Sequence, residues 1–277
     1  MLYSELFAAA LRASKKRELS TAVEALIEES FAISRSRFWI EKNQPIRDAA
    51  GLRRFRRRLR RLLAGEPLAY ILGVKEFYGE TILVSPAVLV PRPETELLVE
   101  KALQLLGREP GRVLDIGAGS GAIAVLLALR SRAEVTALEK SRPALAVLKK
   151  NIARFGLRER VRPLAGDLFP RRKERFRMIV SNPPYLSRRD WRNAPATVRL
   201  YEPRVALEAG PDGSEALQRI VAGARERLDP GGRLLLEIGR GQHRAVSGFL
   251  KAAGLTEMEC VRDYAGIDRV IVAEKSG

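Results

Sequence analysis

One cysteine, Cys260, and one histidine, His243, are all that this chain of 277 residues holds of either type. A disulfide framework needs paired cysteines and an ordinary structural zinc site needs several Cys or His ligands, so neither is expected, and no metal is expected in the chemistry. Cys260 falls in an alternating apolar stretch and reads as a small strand residue rather than a nucleophile. His243 reads as a first-turn helix residue with a capping or surface role. Long apolar runs are also missing: no segment approaches the roughly 20 apolar residues of a membrane span. Met1 to Arg12 lacks the basic, apolar, then small-residue order of a secretory signal. A cytoplasmic, soluble protein with no membrane partner is the expectation, and a monomer is the default.

What is present is an apolar fraction of 46%, ample for a conventional core in one large domain or two unequal ones. The formal charge is +17, from 50 Lys and Arg against 33 Asp and Glu. Such a field favours a polyanionic neighbour. The excess is mostly arginine, which a compositional bias explains equally well.

From Leu2 to about Ala64 apolar residues recur at helical spacing, as in Leu2, Leu6, Ala9 and Ala10, then Val23, Leu26 and Ile27. A small helical bundle is expected, with Ser20 as an N-cap and a break at Asn43, Gln44 and Pro45. Its last helix carries Arg53, Arg54, Arg56, Arg57, Arg58, Arg60 and Arg61 between Leu52, Phe55, Leu59, Leu62 and Leu63. One face is apolar and the other cationic, either a solvated outer surface or a docking face for ribosomal RNA or an acidic protein. Between Gly65 and Pro93, aromatic and β-branched runs punctuated by Gly and Pro (Tyr70 to Gly73, Phe77 to Gly79, Ile82 to Pro86) predict a hairpin linking two domains. A helix then begins near Glu94. The expected domains are a helical bundle over 1–75, a hairpin linker over 76–92 and a third segment over 93–277.

After Gly111 strand and helix signals alternate. Strands are expected at Arg112 to Asp115, Glu134 to Leu138, Val161 to Leu164, Met178 to Ser181, Arg233 to Ile238, Thr256 to Val261 and Arg269 to Ala273. Alternation of this kind makes an α/β fold with a largely parallel sheet covered on both faces, and the turn near Gly266 allows an antiparallel final strand.

Asp115, Ile116, Gly117, Ala118, Gly119, Ser120 and Gly121 follow the first of these strands and open an apolar helix. Glycines let the backbone turn and approach a ligand, and the helix start presents unpaired NH groups. The loop alone suits an NAD enzyme as well as a methyltransferase. Glu139 ends the next strand, where a carboxylate can accept from ribose hydroxyls, or it caps the following helix. Asp167 follows the third strand and can accept from an adenine amino group beside Leu168, or it stabilises a turn. Together Asp115, Gly117, Gly119, Gly121, Glu139 and Asp167 resemble the pattern of class I, Rossmann-like methyltransferases dependent on S-adenosyl-L-methionine.

Asn182, Pro183, Pro184 and Tyr185 come directly after the fourth strand, at the sheet edge where open α/β folds bind ligands. An amide or exocyclic NH2 is a poor nucleophile with a pKa too high for a side chain to deprotonate it, so positioning must carry its methylation. Asn182 Oδ1 and the Pro183 carbonyl can each accept one NH hydrogen and aim the nitrogen at a sulfonium methyl. Tyr185 can stack on the planar group and exclude water. Adenine, cytosine and glutamine all present such a group, so the tetrapeptide alone does not name its substrate. A double-proline turn with no catalytic role would explain Pro183 and Pro184 but not Asn182, Tyr185 and the glycine loop together.

Further segments extend the pattern: Glu66 to Gly73, Phe77 to Gly79, Val90 to Glu96, Tyr201 to Pro203, Ala206 and Leu207, Gly210 to Gly213, then Asp263, Gly266, Arg269 and Val270. In these the chain resembles the HemK/PrmC family over nearly its whole length. The resemblance implies a seven-stranded, mostly parallel methyltransferase sheet behind a small helical domain joined by a β-hairpin. It implies methyl transfer from S-adenosyl-L-methionine, leaving S-adenosyl-L-homocysteine, to the N5 amide of the glutamine in the Gly-Gly-Gln motif of class I peptide chain release factors. By resemblance Gly117 to Gly121 and Glu139 hold the cofactor, Leu168 lies beside adenine, and Asn182 to Tyr185 bind the glutamine. Arg92 or Thr95 is expected near the methionine carboxylate, and the helical domain is expected to recognise the release factor rather than RNA. Glu139 stands where the family often has Asp, and Leu168 where some members have an aromatic. The competing readings are a nucleic-acid amino-methyltransferase, for which no target-recognition module is visible, a non-catalytic binding protein, and an NAD-dependent oxidoreductase.

Overall fold

Packing in the computed structural model, which describes residues 1–14 and 19–276, divides the chain between Gly73 and Val74. The first unit contains the helices α1 (Tyr3–Ser14), α2 (Ser20–Phe31), α3 (Arg35–Glu41), α4 (Ala49–Leu63) and α5 (Leu68–Leu72). Their apolar stripes meet in a core of Leu6, Val23, Leu26, Ile27, Phe38, Phe55 and Leu62. Asp48 caps α4 by accepting from the Gly51 NH at 2.8 Å. Ser20 is not the expected cap: it lies inside α2, whose N-cap is Leu19 with no side-chain cap hydrogen bond. Tyr70 to Leu72 are helical rather than extended, because α5 starts after Pro67 and stops at Gly73, where φ is +79° and the NH returns to the Ala69 carbonyl. The basic helix α4 is therefore followed by one more short helix.

The arginines of α4 fall into two groups. Arg54 donates twice to the Ser30 carbonyl at 3.0 and 2.7 Å, Arg58 donates to Ser30 Oγ, and Arg61 pairs with Glu66 at 2.5 Å. Arg53, Arg56, Arg57 and Arg60 are exposed. Their spacing of three and four residues puts them in one stripe. Leu63 leaves the apolar face and is 41% exposed.

The second unit opens with a hairpin of β1 (Val74–Phe77) and β2 (Glu80–Leu83). Its two-residue turn has positive φ at both Tyr78 and Gly79, the geometry that matches strand twist. Then come α6 (Glu94–Leu106), β3 (Arg112–Ile116), α7 (Ala122–Arg130), β4 (Glu134–Glu139), α8 (Arg142–Arg154), β5 (Val161–Ala165) and β6 (Phe176–Ser181). Two short helices follow, α9 (Arg188–Asn193) and α10 (Ala196–Tyr201), which local periodicity does not announce. The chain ends with α11 (Glu215–Arg227), β7 (Leu228–Glu237), α12 (His243–Ala252), β8 (Thr256–Arg262) and β9 (Asp268–Glu274).

The seven-stranded sheet runs β5-β4-β3-β6-β7-β9-β8. Pairs β5-β4, β4-β3, β3-β6 and β6-β7 are parallel, and β9 is antiparallel to both β7 and β8. This is the expected α/β class, with a reversed last strand. Strands β3 and β6 are buried apolar runs because helices cover both faces. The order reverses between β3 and β6, which opens a crevice at their carboxyl ends. No helix among the described residues is long and apolar enough to cross a membrane.

Candidate active site

The crevice at the β3 and β6 ends opens into a cleft. Its wall includes Gly117, Ala118, Gly119 and Ser120, then Glu139, then Asp167 and Leu168, and Asn182, Pro183 and Pro184. Thus ten of the site residues expected from sequence converge here, from four strand ends and their loops. Asp115, Gly121 and Tyr185 stand outside the lining, each for a reason that burial makes plain.

Asp115 is fully buried beneath the glycine loop, where its Oδ2 accepts from the Ala124 NH at 3.2 Å and Oδ1 has no partner. Burial pushes its carboxyl up to about 7, and the nearby Glu139 charge adds to the shift. It holds the first turn of α7 and does not line the cleft. Gly121 turns the chain into α7 at φ +83°, and a Cβ there would sit 2.4 Å from Leu148. A side chain there must displace the Leu148 methyl and hold a backbone conformation that favours glycine.

The loop is bound to the edge of β4. Gly117 and Ala118 both donate to the Leu138 carbonyl, at 2.9 and 3.0 Å. Glu139 Oε2 accepts from the Gly119 NH at 2.9 Å, and Oε1 accepts from the Ser141 NH at 2.7 Å. Ser141, not Glu139, caps α8. Each Glu139 oxygen keeps acceptor capacity toward the cleft. From below, Asn151 Nδ2 donates to the Ser120 carbonyl and to Leu83, while its Oδ1 accepts from the Leu83 NH. One buried carboxamide therefore pins both the glycine loop and the hairpin.

At the end of β5, Asp167 is exposed and paired with Arg219 at 3.2 Å. Leu168 holds φ at +61°, an uncommon conformation for a branched side chain, and faces the cleft. Backbone strain of this sort gathers at ligand sites.

Ser181 Oγ fastens the end of β6 to the Ile116 carbonyl at 2.7 Å. Beyond it, Asn182 Nδ2 donates to Thr95 Oγ1 at 2.9 Å. Its Oδ1 accepts from no described residue and is left for the cleft. Thr95 lies in the first turn of α6, buried to 4% exposure, and so serves Asn182 rather than only a turn. Arg92 lines the cleft but is paired with buried Glu202 at 2.5 Å.

Tyr185 points behind the lining. Its hydroxyl lies 3.5 Å from Glu237 Oε1, and burial with the Glu237 charge pushes its pKa up to about 12. Its carbonyl accepts from Gln242 Nε2 at 3.0 Å, and the same nitrogen reaches the Gly213 carbonyl. Gln242 Oε1 takes the Gly239 NH at 2.8 Å. Sequence reasoning missed Thr95's partner, Gln242 and Glu237, since each acts across more than 50 residues of chain.

The lone histidine and cysteine do meet. His243, Cys260 and Asp268 bring ligand atoms within 4.8 Å of one another, a grouping that could hold a metal ion and that residue counts had excluded. His243 also pairs with Glu257 at 2.6 Å, which raises its pKa, and Cys260 is raised to about 12 by burial and by Asp268.

A sheet of this order with a glycine loop after its central strand and Asn-Pro-Pro-Tyr after the next defines a methyltransferase. Residues 93–210 match the family described as methyltransferase small domain, and residues 5–73 match the PrmC N-terminal domain. The crystal structure of a methyltransferase from Pyrococcus furiosus superposes with a TM-score of 0.56 over 80% of this chain and 99% of its own, at 20% identity, a likeness of fold. The chain belongs to the release factor glutamine methyltransferase family. It is 46% identical over 257 residues to the release factor glutamine methyltransferase of Bordetella pertussis, covering 90% of this chain and 93% of that relative. The corresponding protein of Geobacter sulfurreducens is 45% identical over 210 residues, 74% of this chain and 72% of its own.

Proposed function

We propose that this protein methylates the side-chain amide nitrogen of the glutamine in the Gly-Gly-Gln motif of class I peptide chain release factors, with S-adenosyl-L-methionine as donor. The activity for which its relatives are named supports the substrate. The observation that carries the chemistry is the hydrogen bond from Asn182 Nδ2 to Thr95, which leaves Oδ1 as an acceptor on the cleft wall.

The cleft's donor set fits the cofactor. Glu139 keeps acceptor capacity for two ribose hydroxyls, Leu168 and Ile123 offer apolar contact for adenine, and Asp167 offers an acceptor at its edge. Gly117, Ala118, Gly119, Ser120 and Gly121 form the turn that leads into the α7 N-terminus, where unpaired NH groups favour an anionic group such as a carboxylate. Asp115 holds the first turn of α7 from beneath. When bound, the cofactor supplies a methyl group on a sulfonium, an electrophile that needs no metal.

The protein's own part is orientation. Asn182 Oδ1 and the Pro183 carbonyl each take one NH of the glutamine amide, so its nitrogen is held for in-line attack. Positioning of this kind is worth about 7–11 kcal/mol in favourable systems. Pro183 and Pro184 lack NH groups and leave no competing donor beside the substrate. Tyr185 supports the loop from behind, and the proton leaves the nitrogen after the methyl has moved. The helical unit recognises the release factor, and the exposed arginine stripe of α4 offers a weak contact to ribosomal RNA. The enzyme acts as a monomer in the cytoplasm.

Mass spectrometry of a release factor after incubation with the protein and cofactor tests this. One added methyl on the Gly-Gly-Gln glutamine is expected; methylation of RNA or DNA in its place overturns the reading.

A further inference from the structure

We propose that His243, Cys260 and Asp268 form a zinc site that clasps the last hairpin of the sheet to α12. The three residues come from one helix and two strands, and none of them lines the cleft. The site is therefore separate from the proposed methyl transfer and does not rest on it.

Two β-bulges build the cluster. Cys260 pairs with Ile271 across β8 and β9, and Glu257 pairs with Ala273. Glu257 and Cys260 are three residues apart, an odd spacing that sends side chains to opposite faces of a regular strand. The register shift between Glu257 and Glu259 cancels that alternation, so the carboxylate joins the thiol on one face. A second shift, between Val261 and Arg262, does the same for Asp268, which stands opposite Arg262. That face is the one α12 covers: Val246 and Leu250 share a core with Ile271 and Ala273, and Cys260 packs against it. His243, the first residue of α12, supplies the imidazole.

His243 Nδ1 lies 3.2 Å from Asp268 Oδ2, and one ligand atom from each of the three residues lies within 4.8 Å of the others. Zinc bonds of about 2.0–2.3 Å set tetrahedral ligands roughly 3.3–3.6 Å apart, so the widest pair need close by only about 1 Å. The other ring nitrogen, Nε2, is 2.6 Å from Glu257 Oε1, and Ser247 Oγ donates to Glu257 Oε2 at 2.6 Å. A metal-bound imidazole gives its second NH to a carboxylate in this way, which fixes the tautomer and aims the free lone pair. Arg262 Nε donates to Asp268 Oδ1 at 3.0 Å and leaves Oδ2 for the metal.

A thiolate, an imidazole and a carboxylate suit zinc, whereas magnesium and calcium take oxygen ligands. The thiolate and the Asp268 carboxylate together neutralise the divalent ion. Binding releases the thiol proton and any proton on Nδ1. The His243 side chain is 35% exposed, so water reaches the fourth position. Strand β8 is an edge strand whose one neighbour is β9. A metal shared by β8, β9 and α12 adds a cross-link where the sheet has fewest partners.

The test uses the full-length protein stripped of metal by a chelator, with zinc and cobalt(II) chlorides as probes. One equivalent of zinc is expected to bind and to raise Tm, by roughly 5–10 °C at free zinc about 100 times Kd. Cobalt(II) is expected to show tetrahedral visible bands and a thiolate-to-cobalt charge-transfer band. Cys260→Ser is expected to lose that band, and His243→Gln and Asp268→Asn to lose most of the Tm rise. Glu257→Gln is expected to weaken zinc binding about 10- to 100-fold. A parent protein that binds no zinc overturns the inference and leaves the cluster an ion-pair network. An equal Tm rise in Cys260→Ser overturns it too, since the metal then sits elsewhere. Should His243→Gln or Asp268→Asn fail to fold, the cobalt spectra of the parent and Cys260→Ser decide: a band in the parent that Cys260→Ser loses supports the site, and any other result overturns it.

Discussion

Gly119 NH meets Glu139 Oε2 across 2.9 Å, so the carboxylate that faces the cleft also holds the loop that forms its floor. The expected outcome of Glu139→Ala is a double loss, of a ribose acceptor and of loop order. Hydrogen bonds to charged groups are worth about 1.5–3 kcal/mol each, so cofactor affinity is expected to fall roughly 10- to 100-fold or more. Isothermal titration with the cofactor measures it. Retained affinity in Glu139→Ala would remove this residue from the site.

The last loop lock is Gln242, whose carboxamide joins Tyr185, Gly213 and Gly239 through three hydrogen bonds. Gln242→Leu removes the carboxamide and touches none of the cleft lining. It leaves the part-buried Tyr185 carbonyl without a donor, and such an orphan costs up to about 1–3 kcal/mol. Thermal unfolding is expected to show the loss, and kcat is expected to fall while cofactor Kd holds. A variant with native Tm and native kcat would show that the loop stands without it.

The distinction between what could be read from sequence and what could not follows from range. Val113 to Ile116 and Val135 to Leu138 are apolar runs whose pattern needs no partner to interpret, and Gly117 to Gly121 carry their own turn. Strand positions, sheet class and ten cleft residues were legible for that reason. Gln242, Glu237 and Thr95 are ordinary polar residues until the fold sets them 57, 52 and 87 positions from their partners. The burial of Asp115 and the helix at Leu68–Leu72 were hidden too, the first by tertiary covering and the second by an apolar pentapeptide that suits either conformation. Counting Cys and His was no guide to His243, Cys260 and Asp268, since a carboxylate from another strand completes the group.

Asp115 and Glu237 give stability a distinct pH dependence. Burial raises both folded pKa values to about 7, above their ordinary values of 3.8 and 4.5. The folded state therefore binds more protons than the unfolded state between about pH 4 and 7, and these two groups lower stability as pH rises through that window. Glu139 adds to the cost at Asp115 and Glu94 to that at Glu237, while the Ala124 NH at Asp115 and Thr95, Arg269 and Tyr185 at Glu237 offset only part of it. Each group is expected to contribute on the order of a few kcal/mol at pH 8. Chemical denaturation at pH 6 and pH 8 should show a smaller drop in Glu237→Gln than in the parent. An equal drop in both would mean that Glu237 is ionised at low cost in the folded protein.

The arginines of α4 allow structure and recognition to be separated within one helix. Arg54, Arg58 and Arg61 bond to Ser30 and Glu66, so replacing them removes contacts of the fold. Arg53, Arg56, Arg57 and Arg60 lie exposed in a single stripe, and their change to glutamine leaves every buried contact in place. Surface substitutions of this type shift stability by no more than about 0.5 kcal/mol. If the stripe meets RNA phosphates, the quadruple variant loses affinity for ribosomal RNA and shows a shallower dependence of binding on salt, because fewer counterions are released. If it only keeps the helix solvated, binding and its salt slope stay as they were while methylation of the free release factor is unchanged. Fluorescence anisotropy with labelled RNA at two salt concentrations decides between them, and the same protein preparation reports Tm to confirm that the helix is intact.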